Sequence, residues 1–192
     1  SITEALGRAI ARRDSDTGAH NYRVAWIAAR IGEHLKLSRG QMQALIVGSF
    51  LHDVGKIAIP DAILLKPGRL DETEMSIMRT HVEQGEAIVS GIDWLSDAAE
   101  VVSGHHEKWD GTGYPRGLAQ EQIPLSARIF AVADVFDALC SKRPYKEAHA
   151  FDAVINMIVQ DAGRHFDPKV VDQFIRIARD LHNRLLQCDE QA

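Results

Sequence analysis

Apolar residues recur at intervals of three and four along almost the whole chain, the period of a helix that buries one face, and this spacing constrains the fold more than any other feature. Strands leave no comparable trace: no pair of alternating β-branched runs flanks an Asn-Gly or Asp-Gly turn. The fold class that follows is all-α. With 192 residues, 45% of them hydrophobic, the chain can bury a core without disulfides, and wholly disordered or collagen-like folds are excluded.

Ile2, Leu6, Ala9 and Ile10 form a narrow stripe that begins without a cap, which predicts a helix continuing from an upstream segment such as a sensor or receiver module. Val24, Ile27, Ala28, Ile31 and Leu35 place a helix over 17–36. Ser38 is suited to cap the next, over 39–53. Gly55, Pro60, Pro67 and Gly68 mark a loop, after which Asp71 and Glu74 have capping-box spacing and open a helix running to residue 90. A helix over 95–107 precedes a Gly- and Pro-rich segment, 108–124, too irregular for helix and long enough to suggest function. Helices over 125–141, 149–161 and 168–186 follow, the last with Asp167 as N-cap and Pro168 as first residue.

The 22 Lys and Arg residues against 27 Asp and Glu give a net charge of −5, and no basic run offers a groove for a nucleic-acid polymer. Cys140 and Cys188 make no CxxC pair, so a reducing cytoplasmic setting is expected, with Cys140 a small buried apolar residue. An upstream segment could still anchor the full-length protein to a membrane.

Chemistry concentrates around His52-Asp53, where an imidazole and a carboxylate stand side by side at the end of an apolar run. In a continuing helix the two diverge by roughly 100°, which suits Asp53 bridging two ions while His52 binds one. Lys56 falls on the same side, within reach of a phosphate. Alone, such a pair reads more readily as a surface or capping pair. Asp134, however, lies within the apolar run 129–133 and beyond, and a buried carboxylate needs a cation or a donor. His20, His81 and the doublet His105-His106 add imidazoles, and together these residues point to a metal cluster.

The order His20, His52-Asp53, Asp134 resembles the H…HD…D signature of the HD metal-dependent phosphohydrolases. His52-Asp53-Val54-Gly55-Lys56, His105-His106-Glu107 and Gly111-Thr112-Gly113-Tyr114-Pro115 read as HDxGK, HHE and GxGYP, the pattern of the HD-GYP domain. The resemblance covers nearly the whole chain: 1–13 as the end of a linker helix, 14–187 as the catalytic domain, 188–192 as a tail. It implies a helical bundle with a long GYP loop that hydrolyses cyclic di-GMP to pGpG, and onward to GMP, through a metal-activated hydroxide. It implies one metal on His20, His52, Asp53 and Asp134, and another on Asp53, His81, His105 and His106. Iron or manganese suits such mixed shells. Asp16 stands where three-metal members carry a Glu, four residues before His20, and it equally suits capping of the helix that follows. Arg143 and Lys146 match substrate-contacting positions of the family, and Lys56 joins them as a candidate phosphate contact.

Gly113, Tyr114 and Pro115 are open to two readings, a wall of the substrate cleft or a rigid crossover. Trp109 likewise stacks on a guanine base or plugs the bundle. His34, His149, His165 and His182 fit no ligand pattern. The resemblance also implies a diguanylate cyclase domain as a partner, and the stripe over residues 2–10 leaves a homodimer open. Two other functions stay in view: hydrolysis of another cyclic dinucleotide such as 3′3′-cGAMP, and a catalytically silent receptor for one.

Overall fold

A computed structural model describes residues 18–141 and 147–189. The described helices are α1 (Gly18–His34), α2 (Arg39–Leu51), α3 (Asp61–Leu64), α4 (Glu72–Arg79), α5 (His81–Ser90), α6 (Ala99–Gly104), α7 (Leu125–Cys140), α8 (Phe151–Gln160) and α9 (Pro168–Asp189). Short 3₁₀ turns at Val54–Ala58, Asp93–Ala98 and Gln120–Gln122 join some of them. Among the described residues there is no strand beyond two isolated bridges, Asp110 with Ala119 and Ala162 with Phe166. The fold is all-α, as the periodicity requires. No described helix is long and apolar enough to cross a membrane.

α1, α2 and α7 pack on one another around Ile27, Ile31, Leu45, Phe130 and Phe136, and α9 closes the core with Phe174. Each such fully buried side chain contributes about 1.5–3 kcal/mol by leaving water. Arg128 of α7 pairs with Asp167, the residue just before α9, Nη1 to Oδ2 at 2.6 Å, the carboxylate buried and the guanidinium partly so. The other Asp167 oxygen accepts the Lys169 amide at 2.8 Å, so the expected N-cap forms.

The capping predicted at Ser38 forms, with the hydroxyl accepting from the Gln41 amide, and the Asp71–Glu74 box closes in both directions. Two predicted helices end early or break. The helix expected over 39–53 stops at Leu51, so His52 is its C-cap and Asp53 already leaves helical geometry, at φ −98° and ψ 13°. The helix expected over 71–90 breaks at Thr80, whose hydroxyl turns back onto the Ile77 carbonyl at 2.6 Å. The segment 95–107 is shorter than expected, a 3₁₀ turn leading into α6. The stripe over residues 2–10 and Asp16 lie outside the described residues. Cys140 is partly buried against the core, and burial pushes its thiol up to about 12.

Candidate metal centre

Five segments deliver the chemistry-bearing residues to one cavity of about 410 Å³: α1 brings His20, the end of α2 His52 and Asp53, α5 His81, the end of α6 His105 and His106, and α7 Asp134. Lys56, Tyr114, Leu64, Met78 and Ala138 complete its wall.

Both departures from the predicted helices aim residues into this cavity. Because the chain leaves α2 at His52, the Asp53 carboxylate folds back, with Oδ2 at 3.1 Å from His52 Nε2 and 2.9 Å from Lys56 Nζ. Its Oδ1 faces His81 Nε2 at 3.4 Å and His105 Nε2 at 3.7 Å. A carboxylate with one oxygen toward each group of imidazoles is arranged to bridge. The break at Thr80 puts His81 at the start of α5, and Gly55 lets the 3₁₀ turn lie against it. A Cβ on Gly55 would sit 1.7 Å from the His81 carbonyl oxygen, so the approach excludes every other residue.

Ring orientation is fixed by hydrogen bonds. His52, His81 and His105 direct Nδ1 at the carbonyls of Ser49, Met78 and Val102, each three residues back, at 2.8, 2.7 and 2.9 Å. A carbonyl only accepts, so Nδ1 carries the proton and donates, leaving the Nε2 lone pair for the cavity. His20 Nδ1 meets Asp137 Oδ2 at 2.6 Å, while its Nε2 lies 3.1 Å from Asp134 Oδ1. Phe130 packs against the rings of His52 and His105, at 4.8 and 5.9 Å, and seals the cluster from below.

The donor set suits a divalent metal. Asp53, His81, His105 and His106 each bring one donor atom within 4.8 Å of the others. The Nε2 atoms of His81 and His105 stand 3.4 Å apart, two lone pairs that need a cation between them. Three imidazoles and a carboxylate are ligands for a first-row transition ion. The second group is joined pairwise, His20 to Asp134 and His52 to Asp53.

Electrostatics divides the imidazoles. Burial, reinforced by His105 and His81, drives His106 down to about 2, and burial also lowers His105, so both are neutral at pH 7. Burial opposes charge on His20 too, but hydrogen bonds to Asp134 and Asp137 outweigh it and raise it to about 9. Asp53, against the cost of burial, is held well below the usual carboxylate range by His52, His105 and His81. His20 lowers Asp134 in the same way.

Sequence reasoning missed Asp137 and gave Glu107 no role. Asp137 is fully buried and receives Arg23 Nε at 2.7 Å besides His20. The available signal was a second carboxylate one turn after Asp134 in the same apolar helix. Glu107, 2% exposed, accepts the amides of Arg116 and Leu118 at 2.7 and 3.0 Å and so pins the loop after the double histidine. Of Gly113, Tyr114 and Pro115, Tyr114 alone lines the cavity; Gly113 instead presses on the loop's own backbone. Trp109 is not part of the wall and has Arg128 over its ring at 6.0 Å. His165 stacks on Phe166 and His182 packs on Phe151, away from the cluster. Arg143 and Lys146 lie outside the described residues.

A sequence model of the HD domain matches residues 4–170. The chain belongs to the HD domain family. It is 47% identical over 173 residues to the cyclic di-GMP phosphodiesterase response regulator RpfG of Xanthomonas campestris pv. campestris, covering 89% of this chain and 46% of RpfG. It is 44% identical over 185 residues to 3′3′-cGAMP-specific phosphodiesterase 2 of Vibrio cholerae, covering 92% of this chain and 35% of that protein. The chain thus spans about half or less of the length of these curated relatives. The crystal structure of the V. cholerae cyclic GMP-AMP phosphodiesterase V-cGAP3 superposes with a TM-score of 0.72 at 21% identity, over 96% of this chain and 52% of that one. That likeness concerns the fold.

Proposed function

We propose that this HD domain is a metal-dependent phosphodiesterase that hydrolyses cyclic di-GMP to linear pGpG and onward to GMP. The observation that carries the reading is the inward convergence of four Nδ1-anchored imidazoles, His106 and two carboxylates on one cavity, in a chain 47% identical to RpfG. One ion would rest on His20, His52, Asp53 and Asp134, the other on Asp53, His81, His105 and His106, with iron or manganese the metals. Asp16 is proposed for a third. Such ions supply Lewis acidity toward phosphoryl oxygens and acidify water.

The chain's own groups do the rest. Asp53, kept ionised by its neighbours, faces both histidine groups and holds Lys56 at 2.9 Å. When the dinucleotide enters, the Lys56 ammonium meets a non-bridging phosphate oxygen, with Arg143 and Lys146 on the remainder of the substrate. Water adds at phosphorus, the bond to the ribose 3′ oxygen breaks, and that oxygen leaves with a proton. Tyr114 walls the cavity on the side of the GYP loop.

The 44% identity to a 3′3′-cGAMP-specific enzyme favours that dinucleotide as a second reading. A silent receptor is disfavoured because the ligand set for both ions is complete. An upstream sensor or receiver domain, a diguanylate cyclase partner and a homodimer complete the proposal. The test is hydrolysis by protein loaded anaerobically with Fe²⁺ or Mn²⁺, with the two dinucleotides in competition. Preferential release of pGpG from cyclic di-GMP is expected; no turnover of either with either metal would overturn the reading, and bound, uncleaved substrate would point to the receptor.

A further inference from the structure

Four imidazoles of the cluster owe their aim to a hydrogen bond donated by Nδ1, three to carbonyls and that of His20 to Asp137. Among the described residues His106 has no such bond. Its ring lies instead flat against Tyr114, with centroids 4.7 Å apart and planes at 15°. We propose that Tyr114 is the positioning residue for His106, the phenol ring setting the imidazole's angle as a hydrogen bond does for the other four. The proposal rests on the metal-centre reading above.

The loop is built to hold that stack. The Tyr114 amide donates to the His106 carbonyl at 3.1 Å, closing the chain onto the residue it must orient. A Cβ on Gly113 would lie 2.5 Å from that same carbonyl oxygen, so only glycine permits the approach. Beyond the tyrosine, the buried Glu107 carboxylate takes the Arg116 and Leu118 amides, and Arg116 grips Glu86 of α5 at 2.6 Å. The Arg79 guanidinium lies 5.0 Å from the Tyr114 ring centroid, which adds a cation–π contact. Among the described residues no hydrogen bond holds the His106 ring; His105 meets it at 4.2 Å, tilted by 45°, and His81 edge-on at 5.2 Å, which leaves Tyr114 as the one flat partner, and a ligand less firmly oriented binds more weakly. Removing partners that orient metal ligands costs about 10–100-fold in affinity.

The experiment is titration of metal-stripped protein with Co²⁺ alone, followed by its visible absorption and by chelator competition. Tyr114→Phe keeps the ring and is expected to bind within about twofold of the wild type, whereas Tyr114→Leu should lose about 10–100-fold for one of the ions. In a His106→Ala background the Leu substitution should cost nothing more, because its effect runs through that ring. Glu107→Gln, which puts an amide group against one of the backbone N–H donors, provides a second variant should Tyr114→Leu fail to fold; it should weaken Co²⁺ binding only while His106 is present. Wild-type affinity in Tyr114→Leu, loss in Tyr114→Phe equal to that in Leu, or further loss in the His106→Ala background would each overturn the proposal. Co²⁺ binding by His106→Ala indistinguishable from wild type would instead remove the metal-centre reading at this cluster, and the proposal with it.

Discussion

Gly55→Ala offers a direct test of how the centre is assembled. The added methyl group would lie 1.7 Å from the His81 carbonyl oxygen and 2.5 Å from the Gly85 amide nitrogen. Both are backbone atoms, so no side chain can swing aside. Restoring even a 3.0 Å approach forces the 3₁₀ turn and α5 apart by about 1.3 Å, an overpacking that costs about 1–3 kcal/mol or somewhat more. For a domain of this size that lowers Tm by about 3–10 °C. The same movement separates His81 from Asp53, now 3.4 Å apart, so metal affinity should fall together with stability. Gly40→Ala is the control: nothing lies within 4 Å of its would-be Cβ, and the helical position should gain up to about 1 kcal/mol. Thermal unfolding by circular dichroism, with and without Mn²⁺, reads both. A Gly55→Ala protein melting no lower than the wild type would refute the reasoning, since it would mean that the contact between the turn and α5 is not tight.

Asp137→Asn keeps the volume but removes the charge behind His20; metal affinity is expected to drop about 10–100-fold in a titration, with the fold retained by circular dichroism. His20, raised to about 9 in the metal-free centre, carries a proton at pH 7 that a metal on Nε2 must displace. Calorimetry in buffers of different ionisation enthalpy should therefore show proton release on metal binding at pH 7, and affinity rising with pH until it levels off above about 9. The same raised value stabilises the metal-free fold fully below the unfolded value of 6.5 and progressively less as pH climbs through about 9, which urea titrations of stripped protein at pH 6 and 9 can check. Asp167→Ala removes the partner of the part-buried Arg128 and the cap at the start of α9, and should cost about 2–4 kcal/mol of stability by denaturant titration.

Most of the helices could be read from the chain because their signals are local. Ser38 and Asp71 cap where their side chains reach the first turn, and Val24, Ile27 and Ile31 face inward at the expected spacing. The overshoot past Leu51 and the missed break at Thr80 share a location. Both lie where the Gly55 turn presses on α5, a contact between segments that no single window of residues contains. Asp134 stood out as an acid in an apolar run, and the structure places it beside His20. Asp137, in the same helix, takes its meaning from a histidine 117 positions earlier and from Arg23, so it was invisible until the helices were packed. Asp16, Arg143 and Lys146 rest on the family resemblance.

The carbonyls of Ser49, Met78 and Val102 each steer the imidazole three residues downstream. For these three rings angular aim is set by a neighbour close in the chain, while the gaps between rings are set by how the bundle closes. A substitution that slackens the bundle should accordingly erode ion retention by degrees, stretching the distances among His52, His81 and His105 while each of those rings still points the right way.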